Sequence, residues 1–282
     1  MAGYSDAVRV AESEDSLEAP KPNPLIALID VFFNPALDLL DDFGATIMLL
    51  VQSISWLVRP PFRIAQLFNA IEFIGAQSTF IVGLVGLFTG MAFTLSTITA
   101  FRQFSAEGMV GGVVALALAR ELAPVLAAVV LTARAGSTMA SELGNMRVTE
   151  QIDAITTMGV SPIQYLVVPR ILASTLMLPL LAVAFGIAGM GGAYVVAVVW
   201  QNIDPGVFWD RVRTFVEFKD IWMCISKSLI FGTIVSTICC KKGFYASGGA
   251  RGVGEATAKA VVSSIVAIFA ADYVTTAFMT DV

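Results

Sequence analysis

The stretch ILASTLMLPLLAVAFGIAGMGGAYVVAVVW, residues 171–200, contains no Asp, Glu, Lys or Arg. A helix needs about 20 mostly apolar residues to cross the hydrocarbon core of a bilayer, because that core is about 30 Å thick and an α-helix rises about 1.5 Å per residue. The stretch is long enough for this and has few features that favour a loop. It therefore predicts a helix that crosses a membrane.

Four further stretches, at 76–100, 109–133, 221–240 and 260–280, are uncharged or nearly uncharged and are also long enough to span. The whole chain is 57% hydrophobic and 14% charged, with a mean hydropathy of +0.80. Soluble domains carry about 25% charged residues, so this composition belongs to a membrane protein. The predicted fold class is an all-α integral membrane protein with five transmembrane helices.

The first 75 residues differ from the rest. Residues 1–40 contain much of the chain's acidity and are predicted to be a disordered cytoplasmic tail. The apolar run 43–58 is only 16 residues long and precedes a proline pair at 60–61. So short a run favours an interfacial helix, with a tilted span as the alternative. We therefore predict an interfacial and amphipathic segment at 41–75 and a five-helix membrane domain at 76–282.

Basic residues near the ends of the spans predict a cytoplasmic N-terminus and a C-terminus on the opposite side. With five spans, the inner segments hold Arg9, Lys21, Arg59, Arg63, Arg134, Arg147, Arg170, Lys241, Lys242, Arg251 and Lys259. The outer side holds Arg102, Arg211, Arg213 and Lys219, with Lys227 inside a span. The excess of basic residues on one side sets the predicted orientation.

Composition also excludes several kinds of function. The net charge is −5 and the pI is about 4.8, so no basic face is expected for a nucleic acid. The chain has no histidine, which removes the commonest metal ligand, and we predict no metal site. It also lacks the G-x-x-x-x-G-K-[ST] motif of ATPases. Any ATP is therefore expected to be bound, with Mg²⁺, by another chain, and this chain is predicted to be neither an enzyme nor a cofactor carrier.

Four charged residues fall inside predicted spans: Arg120, Glu121, Lys227 and Asp272. Charges in the membrane are costly and are usually paired or functional. All four are expected about 10–17 Å below the outer surface, given the rise per residue of a helix. We predict pairs between helices, such as Glu121 with Lys227 or Arg120 with Asp272. Such pairs could hold the bundle together, line a cavity that meets a phosphate headgroup, or do both.

Residues 134–170 are the least membrane-like part of the interior and are predicted to be a cytoplasmic loop with a short amphipathic helix. One face of that helix holds Val148, Ile152 and Ile155, and the other holds Glu150, Asp153 and Thr157. An amphipathic helix in such a loop is suited to docking a soluble partner. The alternative is a solvated connector that lies on the bilayer surface.

Several motifs, in this order, resemble the MlaE/YrbE family of permeases. They are ARELAP at 119–124, ARAGS at 133–137, ELGNMRVTEQIDA at 142–154, GVSP at 159–162, VPR at 168–170 and GGARGVGEAT at 248–257. The resemblance covers about residues 60–280 and leaves out the N-terminal tail. It implies a fold with an N-terminal interfacial helix and five transmembrane helices.

The resemblance also implies a function and a set of partners. Such permeases are homodimers in the bacterial inner membrane and pair with two cytoplasmic ABC ATPases, which are MlaF-like. A periplasmic MCE-domain protein, MlaD-like, lies above them, and in some systems a STAS-domain protein, MlaB-like, binds the ATPase. Together they move phospholipid or other lipids between the inner membrane and the MCE assembly.

Site residues follow from the same resemblance. The segment 142–160 would be the coupling helix that contacts the ATPase, through Glu142, Arg147, Glu150, Asp153 and Met158. The lipid cavity would hold the four charged residues Arg120, Glu121, Lys227 and Asp272, with Leu95 and Ile98 lining a pocket for the lipid tail. Two other functions remain open from the residues alone: an ion- or proton-coupled transporter, and a membrane scaffold that transports nothing.

Overall fold

The computed structural model describes the backbone of residues 24–57 and 64–280, and the side chains of 41–57 and 64–279. Every regular element in these ranges is helical. In chain order the helices are α1 (Pro24–Leu57), α2 (Ile64–Arg102), α3 (Glu107–Val148), α4 (Gln151–Thr157), α5 (Ile163–Trp200), α6 (Pro205–Phe215), α7 (Phe218–Phe244) and α8 (Gly249–Thr280). Short 3₁₀ or π-helical turns are included within α2, α3 and α5.

Five of these helices, α2, α3, α5, α7 and α8, are long and apolar enough to cross a membrane. Each contains one of the five predicted stretches, so the predicted fold class and number of spans are confirmed. The helices extend beyond the predicted limits at most of their ends. The 42 residues of α3 correspond to about 60 Å of helix, twice the thickness of a bilayer core.

The N-terminal prediction needs a correction. Helix α1 begins at Pro24, so residues 24–40 of the predicted disordered tail are helical. A proline is tolerated there because the first turn of a helix needs no amide donor. The rest of that tail, residues 1–23, and the proline pair at 60–61 lie outside the described residues. By its internal contacts the chain forms two units, and the boundary between them falls within α1. The second unit starts at Met48 and contains all the later helices.

Successive spans run in opposite directions. At one end of the bundle, Gly144 of α3 packs closely against Val253 of α8 and against Ala246 in the connection between α7 and α8. At the other end, Arg102 of α2 donates to Gln201, just after α5, at 2.8 Å. The loops predicted to be cytoplasmic therefore share one end, although which end faces the cytoplasm stays a prediction.

The predicted loop at 134–170 is much shorter than expected, because α3 continues to Val148 and α5 already begins at Ile163. The polar residues that suggested a loop are accommodated within the helix. Hydroxyl groups of Ser137, Thr138 and Ser141 donate to carbonyls three or four residues earlier, at 2.5–3.1 Å. Such local bonds satisfy a hydroxyl without ending the helix.

Close contact between α2 and α5 depends on glycine. A Cβ atom at Gly86 would lie 2.6 Å from the carbonyl oxygen of Phe185, and one at Gly90 would overlap the backbone of Gly189. Small residues allow helix backbones to approach in this way inside lipid. Gly83, on the same helix, instead has open space around it.

Helix α6 covers the end of the bundle opposite α4. The side chain of Asp204 accepts from the amide of Val207 at 3.0 Å and so caps the helix. Phe208 is fully buried, and its ring contacts those of Tyr194 and Trp209 at centroid distances of 5.8 and 5.6 Å. These aromatic contacts fix α6 against the end of α5.

Candidate functional site

Lys227 of α7 is the centre of a charged cluster within the membrane-spanning bundle. Its side chain is fully buried, and Nζ donates to Glu121 Oε2 at 2.8 Å, Asp272 Oδ1 at 2.9 Å and Thr276 Oγ1 at 2.7 Å. The predicted pair of Glu121 with Lys227 is therefore present. Because Glu121 belongs to α3 and Asp272 to α8, one ammonium group connects three spans.

A proline in α3 supplies the fourth acceptor. Pro124 has no N–H, so it cannot donate to the carbonyl of Arg120, four residues earlier. The turn Leu118–Leu122 before it is π-helical, and the Arg120 carbonyl accepts from Lys227 Nζ at 3.1 Å. The carbonyl that lacks its usual helical donor is therefore bound by a side chain of α7.

The predicted pair of Arg120 with Asp272 is wrong. Arg120 Nε instead lies 2.6 Å from Oδ1 of Asp220, a buried residue at the start of α7, while Asp272 is occupied by Lys227. The other oxygen of Asp220 accepts from the backbone N–H of Glu217 at 2.8 Å. The two acidic residues form a reciprocal capping box at the N-terminus of α7.

Asp220 is the site residue that the sequence analysis missed. It lies directly before the span predicted at 221–240. The spacing of Glu217 and Asp220, three residues apart just before an apolar run, is the signal that identifies a helix start here. With Asp220 included, two cations and three carboxylates give the cluster a formal charge of −1.

The cluster is closed on one side and open on the other. Lys227 and Asp220 have side-chain exposures of 0% and 1%, whereas Arg120 and Glu121 are 38% and 39% exposed. The buried groups hold the exposed pair in place by charged hydrogen bonds. A guanidinium group held in this way can still bind an anion, because it has N–H donors beyond the one directed at Asp220.

The two apolar residues predicted to contact a lipid tail lie in different environments. Ile98 is 1% exposed and is part of the main core, so in this protomer it lines no open surface. Leu95, one turn earlier, is 41% exposed on the surface of α2. The structure does not bring them together on one surface, and Leu95 alone is placed to contact a lipid.

The predicted coupling helix at 142–160 consists of two parts. Helix α3 ends at Val148, and α4 starts at Gln151 after Glu150 adopts a left-handed conformation with φ 59°. Ile152 is 2% exposed and packs in a small core with Leu49 and Leu143, which anchors α4. The turn between the two helices is therefore held against the bundle.

Polar residues on this surface are connected by ion pairs. Arg147 Nη1 lies 2.7 Å from Asp153 Oδ1, across the turn between α3 and α4. Glu142 Oε2 lies 2.9 Å from Arg170 Nη2 of α5. Met158 is 71% exposed just after α4. Glu142, Arg147, Glu150, Asp153 and Met158, predicted to contact a partner, thus lie at one end of the bundle.

Arg134 is a second polar connection that the sequence analysis did not single out. From α3 it donates to the carbonyl of Phe73 at 3.1 Å, to Ser78 Oγ at 2.7 Å and to Gln77 Oε1 at 2.8 Å. Its guanidinium carbon also lies 5.6 Å from the centre of the Phe73 ring. Arg134 therefore fixes the start of α2 to α3, and we assign it a structural role.

No group of three or more Cys, Asp or Glu side chains in the described part of the chain is placed to hold a metal ion. The three cysteines, Cys224, Cys239 and Cys240, are buried in α7 and form no disulfide. In the charged cluster, the most exposed side chains are those of Arg120 and Glu121.

Comparison with known proteins identifies the family of the chain. The family model described as Permease MlaE matches residues 67–278. This range includes α3, α5 and α7 completely, and α2 and α8 except for the start of α2 and the end of α8. A probable ABC transporter permease protein of Synechocystis sp. is 44% identical over 200 residues, covering 71% of this chain and 76% of its own length. One of Rickettsia prowazekii is 37% identical over 224 residues, covering 79% and 86%.

A plant protein is also similar. The Arabidopsis thaliana chloroplastic protein TRIGALACTOSYLDIACYLGLYCEROL 1 is 39% identical over 208 residues, covering 74% of this chain and 59% of its own length. The family model and the bacterial relatives each cover most of the chain, and the fold has the five spans that the family resemblance implies. This multi-pass membrane protein therefore belongs to the MlaE permease family.

Proposed function

We propose that the chain is the transmembrane permease subunit of an ATP-driven transporter that moves phospholipid or a related lipid. In this proposal it works in the bacterial inner membrane and exchanges lipid with a periplasmic MCE-domain assembly, with ATP and Mg²⁺ bound by a separate MlaF-like ATPase. Membership of the family supports the permease role. The name of the Arabidopsis relative contains that of a galactolipid, which supports a lipid as cargo.

The half-buried charged cluster is the observation that carries this proposal. A purely structural ion pair would be expected to be fully enclosed, because exposed charges in a bilayer are costly. Here Lys227 and Asp220 are enclosed, yet Arg120 and Glu121 remain more than one-third exposed. Two held but accessible charges of opposite sign can bind the phosphate and the amine of a zwitterionic headgroup.

A charge-balanced double variant tests this role. Arg120→Gln with Asp220→Asn removes both charges but keeps a hydrogen bond between the two side chains. We expect ATP-driven transfer of a fluorescent phospholipid from proteoliposomes with the ATPase to fall about tenfold, a change of 1.4 kcal/mol in barrier height. Asp220→Asn alone keeps the Arg120 cation and is expected to retain more of the transfer.

The outcome separates the competing functions. If the double variant transfers lipid at the wild-type rate while assembled with the ATPase, Arg120 does not bind the headgroup. Ion flux through the purified chain without ATP would instead support the ion- or proton-coupled transporter. Arg102→Ala serves as a control for loss of a cation, because its ion pair with Glu107 is largely exposed and contributes little.

The proposed contact with the ATPase is the surface formed by the end of α3 and by α4. The buried side chain of Ile152 anchors α4 to the bundle, and the ion pair of Arg147 with Asp153 fixes the turn between α3 and α4. Glu150 and Met158 are exposed around this turn. A short element that is rigidly attached to long helices can transmit movement of a docked partner to the spans, which is what coupling requires.

Charge reversal tests the docking. Glu150→Lys combined with Asp153→Lys should abolish copurification of the ATPase and ATP-driven lipid transfer, because the acidic surface becomes basic. The matched control is Glu107→Lys, at the other end of the bundle, which should leave copurification unchanged. Normal assembly of the double variant would contradict the coupling role of this surface.

The remaining partners belong to the same proposal. We propose a homodimer, with a periplasmic MlaD-like MCE protein above it and, in some systems, an MlaB-like STAS protein on the ATPase, and a cytoplasmic N-terminus. A pull-down in mild detergent followed by lipid mass spectrometry identifies partners and cargo together. Recovery of the chain without an ATPase or bound lipid would contradict the proposal.

A further inference from the structure

An apolar pocket lies within the protomer between α3, α5, α6 and α7. Its volume is about 590 Å³, and its walls include Leu118, Gly186, Gly191, Trp209 and Ile221. Of the described residues that line it, none carries a charge. Pockets of about 300–1,000 Å³ with apolar walls are the usual form of a small-ligand site.

The α5 wall is built from one helical face. Val183, Gly186, Ile187, Met190, Gly191 and Tyr194 line the pocket at spacings of three and four residues. A Cβ atom at Gly191 would meet nothing within 4 Å, and one at Gly186 would meet only Ala123 at 3.9 Å. Unlike Gly189 and Gly192, which pack against α2, these two glycines serve no helix contact and enlarge the pocket.

The pocket opens sideways from the bundle, in the part of the chain that crosses the membrane. Ile187 is 70% exposed at its rim, and Val183 beside it is 37% exposed. At the end nearest α6, the rings of Tyr194 and Trp209 lie 6.0 Å apart and line the pocket. Trp and Tyr favour the level of the lipid headgroups, so the deeper part of the pocket lies at the level of the acyl chains.

We propose that this pocket binds one acyl chain of a membrane lipid in each protomer. A laterally open, uncharged cavity at this depth is in contact with acyl chains, and filling it with one removes an apolar void. A helix of a partner protein, about 10 Å across, would need a longer groove than a pocket of about 590 Å³ provides. The site is separate from the charged cluster and does not depend on the proposed transport function.

The pocket lies next to the charged cluster. Leu118 and Ala119 line the pocket directly before Arg120, and Ile221 lines it directly after Asp220. The pocket is therefore formed by the same two turns that hold the Arg120–Asp220 ion pair. An acyl chain in the pocket would stabilise the arrangement of those turns.

Fluorescence of Trp209 tests the proposal. The full-length chain with Trp56→Phe, Trp200→Phe and Trp222→Phe retains Trp209 alone, in the pocket wall. In detergent, phosphatidylglycerol with dibrominated acyl chains should quench it saturably, with one lipid per chain. Adding Gly191→Leu, which fills the pocket, should weaken this quenching about tenfold, equivalent to 1.4 kcal/mol in binding. Gly83→Leu, in open space on α2, is the matched control and should change nothing.

Several results would overturn the proposal. Equal quenching in the Gly191→Leu and Gly83→Leu variants, or quenching that never saturates, would mean that only the general lipid annulus reaches Trp209. Loss of quenching when the chain is assembled with its partners would mean that a partner helix occupies the site. If Gly191→Leu does not elute as a monodisperse protein, the milder pair Gly186→Ala and Gly191→Ala replaces it, with the same expected direction.

Discussion

Lys227 shows how one buried residue can determine the arrangement of three helices. A fully buried ammonium is very unfavourable without partners, and here two carboxylates, a hydroxyl and a carbonyl surround it. Pro124, four residues after Arg120, has no N–H to donate to this carbonyl, so the ammonium takes the place of the usual helical donor. The π-helical turn at Leu118–Leu122 lies directly before the proline.

Removing the cation should destabilise the protein strongly. In Lys227→Met the side chain keeps its length, but Glu121 and Asp272 lose their shared partner. We expect the free energy of unfolding in detergent to fall by about 3–5 kcal/mol, the usual cost of breaking a buried ion pair. Denaturant unfolding followed by tryptophan fluorescence measures this change.

A compensated variant separates charge from packing. Adding Glu121→Gln and Asp272→Asn to Lys227→Met removes the uncompensated carboxylates and should recover most of the lost stability. Lys259→Met, at an exposed position of α8, is the matched control and should change stability by less than about 0.5 kcal/mol. A wild-type unfolding curve for Lys227→Met would show that the cluster does not hold the bundle.

At the scale of single residues, the sequence predicts which charged residues lie within the spans. It predicts less well which of them pair with each other. All four intramembrane charges could be identified because the membrane makes them costly. The partner of Arg120 could not, because pairing depends on how helices rotate about their axes. A rotation of one residue is about 100°, and the π-helical turn changes that rotation locally in a way that hydropathy does not reveal.

At the scale of the helices, close packing of α2 on α5 depends on specific glycines. Gly90→Ala would bring a methyl group into the backbone of Gly189, which cannot move without separating the helices. We expect a loss of about 1–3 kcal/mol, as for other overpacked sites. The thermal unfolding midpoint in detergent measures the effect.

The matched control lies on the same helix. A Cβ atom at Gly83 meets nothing within 4 Å, so Gly83→Ala should be neutral or slightly stabilising, since alanine favours helix more than glycine does. Equal effects of the two substitutions would mean that Gly90 acts through helix propensity instead of close packing.

Helix limits were the least predictable feature of the elements. Hydropathy identifies the part of a helix that lies in lipid, whereas hydrogen bonding determines where it ends. Ser137 and Thr138 made the end of α3 resemble a loop, but their hydroxyls bind carbonyls within the helix. The break at Glu150 requires a left-handed backbone conformation at a residue that seldom adopts it, and nothing in the local sequence predicts that.

At the scale of the whole molecule, α8 stands apart from the other spans. Only 11% of its most apolar window is buried within the protomer, compared with 61% for α7. Its exposed large apolar side chains are Val262, Val266, Phe269, Tyr273, Val274 and Phe278. Yet α8 also contributes Asp272 to the buried cluster, so its orientation in the bundle is fixed. A fixed helix with an exposed apolar face is suited to packing against a second copy.

A twofold dimer through α8 predicts a specific crosslink, because such an interface brings the same residue of both copies near the axis. Phe269→Cys, at 55% exposure, should form an oxidised dimer of twice 29.9 kDa in membranes. Leu180→Cys on α5 is 61% exposed and should not crosslink. The three native cysteines are buried and provide an internal baseline. Crosslinking at Leu180 but not at Phe269 would contradict a dimer through α8 and would place the interface on α5.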